Sequence, residues 1–291
     1  MITMAQNRWK PEFFKYDPAQ SNTERGKILI VNHNKKVDEI DLAMQYGDVE
    51  KLCRMITMTE HSPKSKMADK HSLSTSVALN DFCQARQCLK CREDGAEPVC
   101  PYCFAEGINN ARPTVKYATA RNSMILWQNE IPAGVWQRTW AKEFASWHQP
   151  DFRIQSLGDA RTVTESENYI RLEEAFDHII FTEWSKNWRI WYQAFEHLGK
   201  PKNSRYIHSS LYLNHFDPIP TAMWPYVDFR FTVFTKEYLE RHPEINANCC
   251  TLDTKGRQCR RDCNDCYAED PTKCEFDRIE IVRGYSKKKG V

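Results

Sequence analysis

The spacing of apolar positions changes along the chain, and each change marks an element. Lys27-Ile-Leu-Ile-Val-Asn32 is a short apolar run with β-branched residues and a polar stop, which predicts a strand. Residues 35–58 carry apolar positions at helical spacing with a break at Gly47-Asp48, so a helix interrupted by a turn is expected. Cys53 lies among those apolar residues and reads as a lone buried thiol. Residues 59–72 are polar and read as a solvated linker, in which His61 and His71 are surface histidines or ligands. Residues 114–128 and 135–148 predict two further helices. In the second, Trp136, Trp140, Phe144 and Trp147 share one stripe. Core packing is expected of that stripe, because a base-stacking face would interleave basic residues.

Beyond residue 150 the pattern alternates. Strands are expected at 151–156, 178–182, 204–209 and 229–234, helices at 165–176 and 188–198, and a closing strand at 278–283. This alternation predicts an α/β fold with a parallel sheet, open or closed into a barrel. Such folds place function at the C-terminal ends of their strands. That rule selects Ser156, Gly158 and Asp159, then Lys186 and Asn187, then Ser209, Ser210 and Asn214. Gly158, Asp159, Lys186 and Asn187 are the substrate-pocket candidates.

With 291 residues and 41% hydrophobic content, one large domain or two ordinary ones are possible. Residues 1–71 form an N-terminal segment and 72–291 an α/β domain that the first segment can join. A net charge of +2 gives no overall field for nucleic acid or acidic lipid. No apolar run approaches a membrane span, and the N-terminus lacks an apolar signal core, so a cytoplasmic protein is expected.

The cysteines change this picture most. There are twelve, and ten fall in two knots. The first knot holds Cys83, Cys88, Cys91, Cys100 and Cys103, with C-x2-C pairs at 88/91 and 100/103. Two such turns suit one tetrahedral metal, leaving Cys83 as a surplus thiol that permits other ligand sets. The second knot runs from Cys249 to Cys266 and contains Cys250 and a C-x3-C-x2-C triplet, Cys259, Cys263 and Cys266. Clustered thiolates without an export signal point to an iron–sulfur cluster or zinc rather than disulfides. Cys274 reads as an exposed spare thiol.

The ordered set Asn80-Asp-Phe-Cys83, Cys100-x2-Cys103-Phe-Ala, Arg121-Asn122, Gln155-Ser-Leu-Gly158-Asp159, Thr182-Glu-Trp-Ser-Lys186-Asn187, Lys200-Pro-Lys-Asn203, Ser209-Ser210 and Cys259-x3-Cys263-x2-Cys266-Tyr267 resembles the phage gene-product-eighty-eight family, across residues 72–268. The resemblance implies a reduced, radical-SAM-like partial or distorted (β/α) barrel with cysteine-rich loops. It also implies a [4Fe-4S] cluster in a virus-encoded protein of the host cytoplasm. The family elements match Cys100, Cys103, Phe104 and Ala105; Gly158 and Asp159; and Cys250, Cys259, Cys263 and Cys266. Cys88 and Cys91 stand as an insertion, open to a second metal such as zinc.

Three functions compete. One is a fully ligated cluster with a structural, redox or sensing role, closed by Cys249 or Cys250. A second is a radical-SAM-type enzyme with an open cluster iron. That reading is weakened by the triplet's C-terminal position and by Asp265 before the last cysteine. The third is a zinc-knuckle module using Arg86, Lys90, Arg92, Arg257, Arg260 and Arg261 on phosphates, although Glu93, Asp94, Asp262 and Asp265 dilute that patch.

Overall fold

The computed structural model describes residues 9–60, 71–87, 89–146, 151–246, 271–273 and 277–281. The chain opens with a long helix, α1 (Glu24–Gln45), and a short one, α2 (Val49–Met55). Thr23 starts α1 by accepting a hydrogen bond from the Gly26 N–H at 3.1 Å, a cap worth about 1 kcal/mol. The strand expected at 27–32 is instead the first turns of α1. Its apolar residues continue the helical spacing of His33, Val37, Ile40 and Ala43, and Ile30 is buried with them while Ile28 and Val31 face solvent. Four apolar residues in a row satisfy either period, and the cap decides between them. The expected break is present: Gly47 turns the chain at φ +65°, and Asp48 caps α2 through the Lys51 N–H.

A seven-stranded sheet follows in the order β1 to β7. Its strands are β1 (Thr59–Glu60), β2 (His71–Leu73), β3 (Asp151–Ile154), β4 (Ile180–Ser185), β5 (Ser204–Ser209), β6 (Phe229–Phe234) and β7 (Asp277–Ile281). β1 is antiparallel to β2, and every later pairing is parallel. The two ends of the stretch expected as linker thus enter the sheet, while His61 lies outside the described residues. Between β2 and β3 come α3 (Asp81–Gln87), α4 (Phe104–Ala111), α5 (Pro113–Leu126) and α6 (Ala133–Ser146). The remaining helices are α7 (Val163–Ala175), α8 (Trp188–Leu198), α9 (Lys236–Arg241) and the single turn α10 (Pro243–Asn246). Strand order that follows chain order, joined by crossovers of one hand, carries the connecting helices on one face. No described helix is long and apolar enough to cross a membrane.

The two faces of the sheet differ in chemistry. On the helix side, Phe144 of α6 stacks on Phe176 at 4.0 Å and on Phe152 at 5.8 Å, and Tyr206 packs on Trp191 and Phe195 of α8. Trp136 and Phe144 are buried and Trp140 is partly so, giving the α6 stripe its core role; Trp147 lies outside the described residues. One core cluster joins Val37 and Leu52 to Leu73, Phe152 and Trp191, so residues before and after position 71 share it. Alternate residues point the other way. There the register aligns Ser72, Arg153, Thr182 and Arg205 across β2 to β5, with Trp184 beside Ile207 above them.

Carboxyl groups are buried on the helix side. Glu173 of α7 lies against Glu183 of β4, and burial first, then mutual repulsion, raises Glu173 well above the usual carboxyl range. The Lys200–Asp228 ion pair lies nearby, and Asp228 also accepts the Tyr206 N–H at 2.7 Å. Glu165 accepts from the Thr75 hydroxyl at 2.7 Å, the Tyr169 hydroxyl at 2.9 Å and the Arg161 N–H at 2.8 Å. Burial still lifts it from 4.5 to about 7. A carboxyl that holds its proton more tightly when folded stabilises the fold fully below its unfolded pKa. That contribution is lost as pH rises through the folded pKa. Between pH 4.5 and 7 the wild type should therefore lose about 3 kcal/mol more stability than Glu165→Gln, measured by denaturant unfolding across that range; parallel pH profiles would refute this.

Candidate metal centre

The C-terminal ends of β2 to β5 meet beneath a cysteine-bearing segment. Asn80 joins the two layers. Its side-chain NH2 donates to the Asp159 carbonyl at 2.7 Å, and its Oδ1 accepts the Phe82 and Cys83 N–H groups at the start of α3. Cys83 is thereby placed next to the end of β3. From there the chain crosses to β5. The Val99 N–H donates to the Leu211 carbonyl at 2.9 Å, and the Leu213 N–H donates to the Glu97 carbonyl at 2.8 Å. A bridge between Pro98 and Tyr212 completes this contact. Cys100 and Cys103 close a tight turn, with the Cys103 N–H on the Cys100 carbonyl at 2.9 Å, and Cys103 leads into α4.

Three thiols separated in sequence thus become electrostatic neighbours. Burial pushes the Cys83 thiol well up, and the Asp159 carboxylate and the thiols of Cys103 and Cys100 add to it while Lys186 opposes it. Burial lifts Cys100 to about 11, opposed by Lys186 and Arg86. Both the Cys83 and Cys100 thiols are therefore protonated at neutral pH. Cys83, Cys100 and Cys103 are free of disulfides, as are the exposed Cys91 and the buried Cys53. Burial likewise raises Cys53, to about 11, in keeping with an inert core thiol.

Cys91 stands apart. Its neighbour Arg92 holds the loop, with a guanidinium nitrogen 2.9 Å from His215 Nε2 and another 3.1 Å from Asp94. Cys88, Cys250, Cys259, Cys263 and Cys266 lie outside the described residues, as do Cys249 and Cys274. Among the described residues, no group of three or more His, Cys, Asp or Glu side chains is placed to hold a single metal ion.

The four pocket candidates divide by role. Asp159 is buried and engaged: it accepts from the Ser185 hydroxyl at 2.6 Å, the Lys186 N–H at 2.6 Å, the Ala160 N–H at 2.8 Å and the Asn187 N–H at 3.2 Å. Asn187 donates back to the Ala160 carbonyl at 2.8 Å. These two residues stitch the ends of β3 and β4 together. Gly158 has φ +91°, and a Cβ there would lie 3.1 Å from Val77 Cγ2, so a turn without a side chain is required. Lys186 alone keeps its side chain for other work. Its charge acts on Cys83, Cys100, Asp159, His208 and Asp217.

Sequence reasoning missed Asn80 as a connector, and it missed the hydroxyl chain in which Ser156 Oγ lies 3.0 Å from both Ser72 and Ser74. The run Ser72-Leu-Ser-Thr-Ser76, rich in small polar residues after a short apolar stretch, was the available signal. Compared with known proteins, the chain matches no family model, no curated protein and no solved structure.

The stitching carries a testable cost. Asp159→Asn keeps the shape but turns an NH2 group toward N–H donors, so it should destabilise by about 2–4 kcal/mol, read as a lower denaturation midpoint at unchanged m-value. A loss below about 0.5 kcal/mol would show that these bonds do not hold the strand ends.

Proposed function

We propose that the chain is an iron–sulfur protein whose [4Fe-4S] cluster is held by cysteine thiolates above the C-terminal ends of a radical-SAM-like, partly closed barrel. The observation that carries this reading is the convergence of Cys83, Cys100 and Cys103 beside Lys186. The donor set fits. Three soft thiols share one neighbourhood without the close geometry of a single tetrahedral ion, and a cluster spans thiolates that lie farther apart. Metal binding would also resolve the burial of two thiols whose protons are otherwise held tightly.

When bound, the cluster supplies one-electron exchange, and any iron without a protein thiolate supplies a position for an outside ligand. The chain's own groups do the rest. Cys83, Cys100 and Cys103 would hold the cluster. The ammonium of Lys186 offsets its negative charge. Asp159 and Asn187 keep Lys186 in place through the backbone, and Asn80 sets the position of α3. The enzyme form of this reading, an open iron serving SAM, gains support from one feature. The three thiols follow the first parallel strand, β2, and strand order runs without reversal. The C-terminal cysteines and Cys88 with Cys91 are then available to a second centre, iron–sulfur or zinc. The resemblance to phage proteins supports this reading, under which the protein would act in the cytoplasm of an infected host.

The deciding experiment is metal and sulfide analysis of protein purified without oxygen, with visible and electron paramagnetic resonance spectra before and after adding SAM. Iron with acid-labile sulfide is expected, and Cys83→Ser, Cys100→Ser and Cys103→Ser should each lose most of both. A SAM-dependent change in the resonance spectrum selects the enzyme; an unchanged spectrum selects a structural, redox or sensing cluster. Zinc as the sole metal would overturn the proposal. Iron lost instead on replacing Cys259, Cys263 or Cys266 would move the cluster to the second knot.

A further inference from the structure

The face of the sheet turned away from the helices ends in polar groups that make no side-chain hydrogen bond within the described residues. On β5 the residues of that face are Arg205, Ile207 and Ser209, alternating with Tyr206, which packs on α8. On β4 they are Thr182 and Trp184, alternating with Phe181 and Glu183 of the helix side. One residue beyond the Ser185–His208 pair, Lys186 comes beside Ser209 at the mouth. The Ser209 hydroxyl is 98% buried as a residue (2% exposed) and makes no hydrogen bond. Thr182, fully buried on the same face, likewise leaves its hydroxyl unused. Lys186 makes no ion pair or side-chain hydrogen bond among the described residues, although it is half-buried.

Each of these is costly alone. A buried hydroxyl without a partner costs about 1–3 kcal/mol, and the half-buried Lys186 ammonium, although in the field of Asp159 and Asp217, has its own donors unpaired among the described residues. Deeper on the same face, Arg153 lies 4.0 Å over the Trp184 ring, and Arg205 donates to the Lys202 and Ser204 carbonyls at 2.7 and 2.8 Å. These guanidiniums are occupied by the protein and contribute positive potential. Asp151 lies on that face, and the Asp159 and Asp217 carboxyls also lie in the field of Lys186 at the mouth. The buried Ser209 hydroxyl, the Lys186 ammonium and a positive background match one kind of ligand, an oxyanion.

We propose that Lys186 and Ser209 bind the carboxylate or phosphate group of a small molecule at the mouth of the sheet, next to Cys83 and Cys100. The site borders the proposed cluster but needs no metal for its own contacts. A ligand seated there would have its anionic group on Lys186 and its remainder toward the thiols.

The test is isothermal titration of inorganic phosphate and, separately, malonate into the full chain as purified without oxygen, at constant ionic strength against a chloride reference. Saturable binding of either anion is expected, and the stronger of the two identifies the group preferred. Ser209→Ala should weaken it about tenfold, the worth of one hydrogen bond to a charged group, and Lys186→Met should weaken it more. Ser209→Ala removes an unpartnered hydroxyl, so a purely structural role predicts equal or higher thermal stability and unchanged anion binding. No saturable binding in the wild type, or undiminished affinity in either Ser209→Ala or Lys186→Met, overturns the proposal. Iron assayed on the same samples separates the two readings. Iron without anion binding leaves the cluster and removes this site; anion binding without iron does the reverse.

Discussion

Asp159 is a buried carboxylate surrounded by hydrogen-bond donors, and the mouth of the sheet depends on it. Burial raises its pKa, and the Ser185 hydroxyl, the Lys186 ammonium and the backbone N–H groups of Lys186 and Ala160 pull it back. The compensation is geometric as much as electrostatic. Donors from the turn after β4 converge on one side chain from the turn after β3, so the two strand ends cannot move apart without stranding a charge. Its carbonyl extends the tie to Asn80 and thence to Cys83. A residue of the type usually suspected of touching substrate therefore acts by fixing the groups around it.

From that tie the division of the sheet follows. The helix side is filled by aromatic rings from α6, α8 and the strands, and burial raises the pKa of each of its buried carboxyls, Glu165, Glu173 and Glu183. The opposite side carries Arg153, Thr182, Arg205 and Ser209 at positions a purely structural sheet would fill with aliphatic residues. A parallel sheet whose helices sit on one face leaves the other face to chemistry, and the thiol-bearing crossing segment covers the end where that face opens.

Much of the fold was legible from residue 150 onward. The expected strands at 204–209 and 229–234 and the helix at 188–198 coincide with β5, β6 and α8, and the others differ by a few residues at their ends. Clean period changes and breakers such as Gly199 explain this. The N-terminal third was harder. Ile28, Ile30 and Val31 suit either period, and β2 is three residues long, too short for periodicity to register. The rule for strand ends selected Gly158, Asp159, Lys186 and Asn187, and Asp159 does bond the Lys186 and Asn187 backbone; their separate roles were hidden, since a carboxylate reads the same whether it binds substrate or backbone.

By itself, the sequence determined the α/β class, the parallel alternation and the clustering of thiols into two knots, because these follow from local spacing and residue chemistry. Only the tertiary structure decided which thiols meet. Cys83 is separated from Cys100 by sixteen residues, and their meeting depends on Asn80 binding the end of β3 and on residues 97–99 pairing with the chain beyond β5. Those are long-range hydrogen bonds, and no pattern in a linear chain encodes the partner of a backbone N–H more than a hundred residues away.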